Sequence, residues 1–128
     1  MRRILIVDDD PESRDLLSEV LRENGFVQVE AVSDALAARE ALTRDGDCPV
    51  IIADLHMPKE SGLDLLQNLR KQNAKNEFIL MSSFISAGER KSANDLGACA
   101  LLEKPFRISE LLQLVSRVAE RDSIGISS

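Results

Sequence analysis

The chain has 128 residues, with 16 basic and 22 acidic side chains giving a formal net charge of −6, which is the size of one ordinary domain able to fold without disulfides. The acidic balance argues against direct nucleic-acid binding by this chain, because neutralising phosphates needs clustered Lys and Arg. No apolar stretch reaches the length of a membrane span, and the apolar run behind Met1-Arg2-Arg3 is too short for an export core, so a cytoplasmic protein without membrane contact is expected.

Ile4–Val7 is a brief run of bulky apolar residues stopped by Asp8-Asp9-Asp10, and it reads as a buried strand. Asp10 as N-cap and Pro11 at the first helical position open a helix, with Leu16, Leu17, Val20 and Leu21 at core spacing and Asn24-Gly25 at its end. Residues 27–32 alternate apolar and polar, as an edge strand with one wet face does. A second helix is expected over 33–43. Apolar runs at 50–53, 78–81 and 98–102 read as three further buried strands, separated by helices over 62–73 and 87–96 and followed by a helix over 108–121. Such alternation in one short chain predicts an α/β fold with a single-domain, doubly wound, five-stranded parallel sheet and five helices, since each parallel crossover needs a helix. Residues 1–121 make up the domain, and 122–128, which lack periodicity, are a frayed tail or the start of a linker. Cys48 and Cys99 match neither a metal nor a disulfide spacing and read as buried free thiols.

In such sheets ligands bind at the carboxyl ends of the strands. Those ends carry Asp8, Asp9 and Asp10, then Asp54, then Ser82 and Ser83, then Lys104-Pro105. Asp8, Asp9 and Asp54 concentrate negative charge, which is unfavourable unless a cation shares the volume or some carboxylates stay protonated. Oxygen donors without Cys or His favour Mg²⁺ over zinc. Lys104 adds a fixed positive charge and Ser82 a hydroxyl donor. A carboxylate, a divalent cation, a lysine and a hydroxyl around one point are what phosphoryl transfer to an aspartate needs.

At these residues the chain resembles the receiver domain of two-component response regulators, through about Arg121: Ile-Val-Asp8-Asp9-Asp10, Ile-Ile-Ala-Asp54-Leu-His-Met57-Pro58 with Gly62, Ile-Leu-Met-Ser82-Ser83, and Lys104-Pro105-Phe106. The resemblance implies a flavodoxin-like strand order 2-1-3-4-5. It also implies a phosphorylation-dependent signalling switch, not an enzyme acting on a separate substrate, in which Asp54 takes a phosphoryl group from a sensor histidine kinase or a histidine phosphotransfer protein. Mg²⁺ is then held by Asp8, Asp9, Asp54 and the backbone carbonyl of His56. Ser82 hydrogen-bonds the phosphoryl group, Lys104 pairs with it, and Pro105 follows a cis peptide bond. The implied output surface is the fourth helix, fifth strand and fifth helix, about residues 87–121, with Glu89, Arg90, Lys91, Glu110, Arg117 and Arg121 available to a partner or to a second copy in a phosphorylation-linked homodimer. The chain is either a free-standing regulator or the receiver of a larger one. Two departures stand out: Ser82-Ser83 replaces the family's usual Thr-Ala, and Leu101 occupies the aromatic switch position in a chain without Tyr or Trp. Leu101 is therefore expected to repack where an aromatic ring would turn. His56 and Phe84 fall at variable positions that, in the family, influence how fast the acyl phosphate hydrolyses.

Plainer readings exist for each residue. Asp10 reads as an N-cap, Ser83 as a strand-end hydroxyl, Lys104 before Pro105 as a turn residue, and His56 as a loop residue contributing only its carbonyl. Two other functions use similar parts. A small phosphohydrolase would place Asp8 and Asp10 after the first strand but leaves Asp54 without a role. A flavin carrier needs aromatic stacking that four Phe, with no Trp or Tyr, hardly supply.

Overall fold

The computed structural model describes the backbone of residues 3–45 and 49–127, and the side chains of 3–44 and 49–119. Ten elements alternate along the chain: β1 (Ile4–Val7), α1 (Pro11–Glu23), β2 (Val29–Val32), α2 (Ala35–Asp45), β3 (Val50–Asp54), α3 (Gly62–Lys71), β4 (Phe78–Ser82), α4 (Ala87–Asp95), β5 (Ala100–Glu103) and α5 (Ile108–Ser127). The strands pair in parallel in the order β2-β1-β3-β4-β5, the doubly wound arrangement expected of a βα repeat.

Strand alternation splits the core in two. Leu5, Val7, Ile51, Ala53, Phe78 and Leu80 face one way, packing with residues of α2, α3 and α4. Ile4, Ile6, Val50, Ile52, Ile79 and Met81 face the other, with residues of α1 and α5. β1, β3 and β4 are buried along their whole length, which is why their sequences are continuous apolar runs.

Local chemistry sets the helix starts. Asp10 caps α1 by accepting from the Glu12 amide, and Pro11 follows in the first turn. Ser61 with Asp64 and Ser86 with Glu89 form capping boxes on α3 and α4. Several expectations need correction, among them the second strand, which starts at Val29 instead of residue 27. Leu16 is 55% exposed, because it lies about 100° round the helix from Leu17 and so falls off the stripe that Leu17 and Leu21 bury. The fifth strand starts at Ala100 instead of residue 98, after Gly97 turns at φ 78°. The last helix continues beyond residue 121 to Ser127, with no proline to stop it and with Gly125 taken into the helix. Cys99 is half-buried and in no disulfide, while Cys48 lies outside the described residues. Among the described residues no helix is long and apolar enough to cross a membrane.

Candidate functional site at the carboxyl edge of the sheet

β1 and β3 are central neighbours, with Val7 paired to Ala53, so the residues that end them converge. Asp8 is fully buried and Asp54 is only 9% exposed, whereas Asp9 is open to solvent. One carboxylate oxygen from each of Asp8, Asp9 and Asp54 lies within 4.8 Å of the others. Lys104 reaches in from beyond β5, placing Nζ 3.1 Å from Asp54 Oδ2 and 3.9 Å from Asp8 Oδ2. The other Asp54 oxygen, Oδ1, accepts from the His56 amide at 3.0 Å. Asp8 Oδ1 accepts from the Asp10 amide at 3.0 Å, but its Oδ2 is buried without any hydrogen-bond partner. A buried carboxylate oxygen without a donor is costly, and one lysine cannot balance three adjacent carboxylates. A small, hard divalent cation coordinated by Asp8, Asp9 and Asp54 fits this donor set. Among the described residues this is the sole cluster suited to a metal.

Ser82 engages its hydroxyl within its own loop. Alternation along β4 puts it on the side of Phe78 and Leu80, toward α3 and α4. Its hydroxyl donates to the Phe84 carbonyl at 2.9 Å and accepts from the Phe84 amide at 3.2 Å, with no bond to Asp54. Lys104 joins this edge through its backbone, its amide donating to the Ser82 carbonyl at 2.8 Å. The Lys104-Pro105 peptide is cis, as expected.

Several supports had no signal in the sequence, because their partners are remote along the chain. The His56 imidazole meets the Phe84 carbonyl at 3.0 Å, with Glu89 at 3.9 Å. The reading of His56 as a carbonyl donor alone is thus incomplete. Glu89 is held below its ordinary carboxylate pKa, first by the Ser86 amide and then by the Ser86 hydroxyl and His56, against the opposing effect of desolvation. Arg14 donates to the Asp8 carbonyl at 2.9 Å. Gly62 is required by space, since a Cβ there would lie 2.4 Å from the Asp54 carbonyl oxygen. Glu60 pairs with Arg39 and accepts from Asn68, fastening the loop that follows Asp54. Leu101, half-buried, packs in the cluster that holds Ile85, Ala93 and Leu96. On the outer face Arg90 pairs with Glu103 at 2.6 Å and Lys91 with Asp95 at 3.1 Å. The side chain of Arg121 lies outside the described residues.

Residues 4–116 match the response regulator receiver domain family. The chain is 35% identical over 119 residues to the response regulator protein PmrA of Pseudomonas aeruginosa, covering 93% of this chain and 53% of that protein. It is 34% identical over 119 residues to the response regulator MprA of Mycobacterium leprae, covering 93% and 51%. The chain therefore spans about half the length of the curated relatives it matches. Among solved structures, the FixJ-N crystal structure superposes with a TM-score of 0.82 at 30% identity, covering 94% of each chain. Chemotaxis protein CheY4 of Vibrio cholerae gives 0.82 at 28% identity, covering 92% of this chain and 98% of that one.

Proposed function

This chain belongs to the response regulator receiver domain family, and from that premise we propose that it is a switch set by phosphorylation of Asp54. The supporting observation is the environment of that carboxylate: buried, fixed at Oδ1 by the His56 amide and at Oδ2 by Lys104, beside the unsatisfied Asp8 Oδ2. An Asp54 oxygen attacks the phosphorus of a phosphohistidine on a histidine kinase or phosphotransfer protein. The new O–P bond forms as the P–N bond breaks, and the departing imidazole takes its proton from solvent. Lys104 then moves its charge from the carboxylate to a phosphoryl oxygen, and the Ser82 hydroxyl turns from Phe84 to another. Asp8, Asp9, Asp54 and the His56 carbonyl would hold Mg²⁺, which supplies charge neutralisation on the phosphoryl oxygens when bound.

The change is read elsewhere on the molecule. Movement of Ser82 and the following loop shifts α4, with Leu101 repacking behind it, and so alters the face formed by α4, β5 and α5 toward a partner protein or a second copy. The chain acts in the cytoplasm either by itself or as the receiver of a longer regulator; half-length coverage of its relatives is in keeping with the latter. Incubation with radiolabelled acetyl phosphate tests the chemistry. Label should enter the wild type only with Mg²⁺ and fail to enter Asp54→Asn. Equal labelling of that variant sinks the assignment.

A further inference from the structure

Resting on that reading, we infer that the imidazole of His56 is a positioning group: it latches the β4–α4 loop in the conformation that keeps the Ser82 hydroxyl engaged away from Asp54. Both contacts converge on one atom. The Phe84 carbonyl oxygen lies 2.9 Å from Ser82 Oγ and 3.0 Å from His56 Nε2. A carbonyl can only accept, so Nε2 carries the hydrogen in this arrangement, and the two lone pairs of one oxygen are shared between two donors. His56 follows the phosphoacceptor by two residues, while Phe84 follows the hydroxyl residue by two. One hydrogen bond therefore ties the loop after β3 to the loop after β4.

The helix held by this tie is weakly packed. Among α4 residues only Ala93 is buried, so polar contacts at its ends carry much of its docking. At its far end the Arg70 guanidinium donates to the Leu96 carbonyl at 2.7 Å while also donating to the carbonyls of Ala74 and Asn76 at 2.8 and 2.9 Å. That end is clamped to α3 and the loop that leads into β4. At the near end Ile85 is buried and Arg90 pairs with Glu103 on the outer face, while the hydrogen bond that ties the loop itself across to the loop after β3 is His56–Phe84, with Glu89 3.9 Å from the same ring nitrogen. The His56 side chain is 53% exposed and Phe84 is 68% exposed, so water can replace this bond at low cost. α4 thus has a fixed end and a releasable end, and the releasable end lies beside Ser82.

The latch makes a directional prediction. While it is closed, drawing Ser82 toward a phosphoryl group must move a loop that His56 holds in place. Opening it favours the phosphorylated conformation by the value of one net hydrogen bond, about two- to tenfold in an equilibrium constant. The test uses His56→Ala, which keeps the backbone amide and carbonyl, and His56→Gln, whose side-chain nitrogen donates over a similar reach. Two readouts are taken: amide hydrogen exchange over residues 84–89 without ligand, and affinity for beryllofluoride with saturating Mg²⁺, followed by fluorine NMR. His56→Ala should exchange faster there and bind beryllofluoride about two- to tenfold more tightly, and His56→Gln should restore both values toward wild type. Unchanged exchange in His56→Ala, or unchanged or weaker beryllofluoride binding, overturns the latch. Failure of the wild type to bind beryllofluoride at all overturns the receiver chemistry instead, and the exchange comparison then decides the latch by itself.

Discussion

Gly62 shows how little room the site leaves around its central carboxylate. Its amide donates to the Leu55 carbonyl at 3.1 Å, and a methyl group in its place would meet the Asp54 carbonyl oxygen at 2.4 Å and Leu80 Cδ2 at 2.9 Å. Gly62→Ala must push the backbone of Asp54 aside, with an expected loss of about 1–3 kcal/mol in urea unfolding and slower labelling from acetyl phosphate. Asp8 gives the opposite sign. Its buried Oδ2 accepts no hydrogen bond and has only Lys104 Nζ at 3.9 Å, shared with the Asp9 and Asp54 carboxylates, so Asp8→Asn should stabilise the metal-free protein by about 1 kcal/mol while abolishing the rise in melting temperature expected of the wild type with Mg²⁺. Destabilisation of the variant in chelator would contradict this electrostatic account. The sequence exposed Asp8, Asp54 and Lys104 because each ends or directly follows a strand, and strand ends in this fold face the ligand. It did not expose the bonds His56–Phe84, Arg14–Asp8 or Arg70–Leu96, because no local pattern encodes a pairing that tertiary structure creates.

Among the elements, α4 is the one whose stability rests most on its ends. Glu89 closes the capping box on Ser86, and its carboxyl is held below the ordinary value of 4.5, chiefly by the Ser86 amide. Because the folded value is depressed, this contribution is complete above pH 4.5 and disappears as pH falls through the lower folded value. Amide protection in the first turn of α4 should fall in that acid range, and Glu89→Gln should remove the pH dependence. The far end depends on Arg70, whose charge serves the carbonyls of Leu96, at the end of α4, and of Ala74 and Asn76, in the loop between α3 and β4. Arg70→Ala should cost about 1.5–3 kcal/mol, with faster amide exchange at residues 96–98 as its local mark. Element identity was legible wherever the apolar signal was strong, as in the continuous runs of β1, β3 and β4. Boundaries were less so. The start of β5 depends on the turn at Gly97, and the end of α5 depends on a stretch whose weak periodicity neither requires nor forbids a helix.

For the whole molecule, the parallel sheet makes the two cores interdependent. β3 and β4 contribute alternate residues to both faces, so neither layer of helices can separate without exposing the other side of the same strands. Unfolding should be a single cooperative transition. Phe78→Ala, at a fully buried position in β4, is expected to cost about 3–5 kcal/mol and to shift the urea midpoint without splitting the transition. A stepwise curve would contradict the shared core. The same rigidity gives the carboxyl edge its function: central strands fix Asp8, Asp54 and Ser82, while thinly packed α4 remains free to respond. The central claim is that Asp54, and no other carboxylate at this edge, takes the phosphoryl group. The most direct measurement is peptide mapping by mass spectrometry after phosphorylation with acetyl phosphate and Mg²⁺, followed by borohydride reduction of the acyl phosphate. The account predicts reduction to homoserine at position 54 alone; reduction at position 8 or 9, with residue 54 intact, would contradict it.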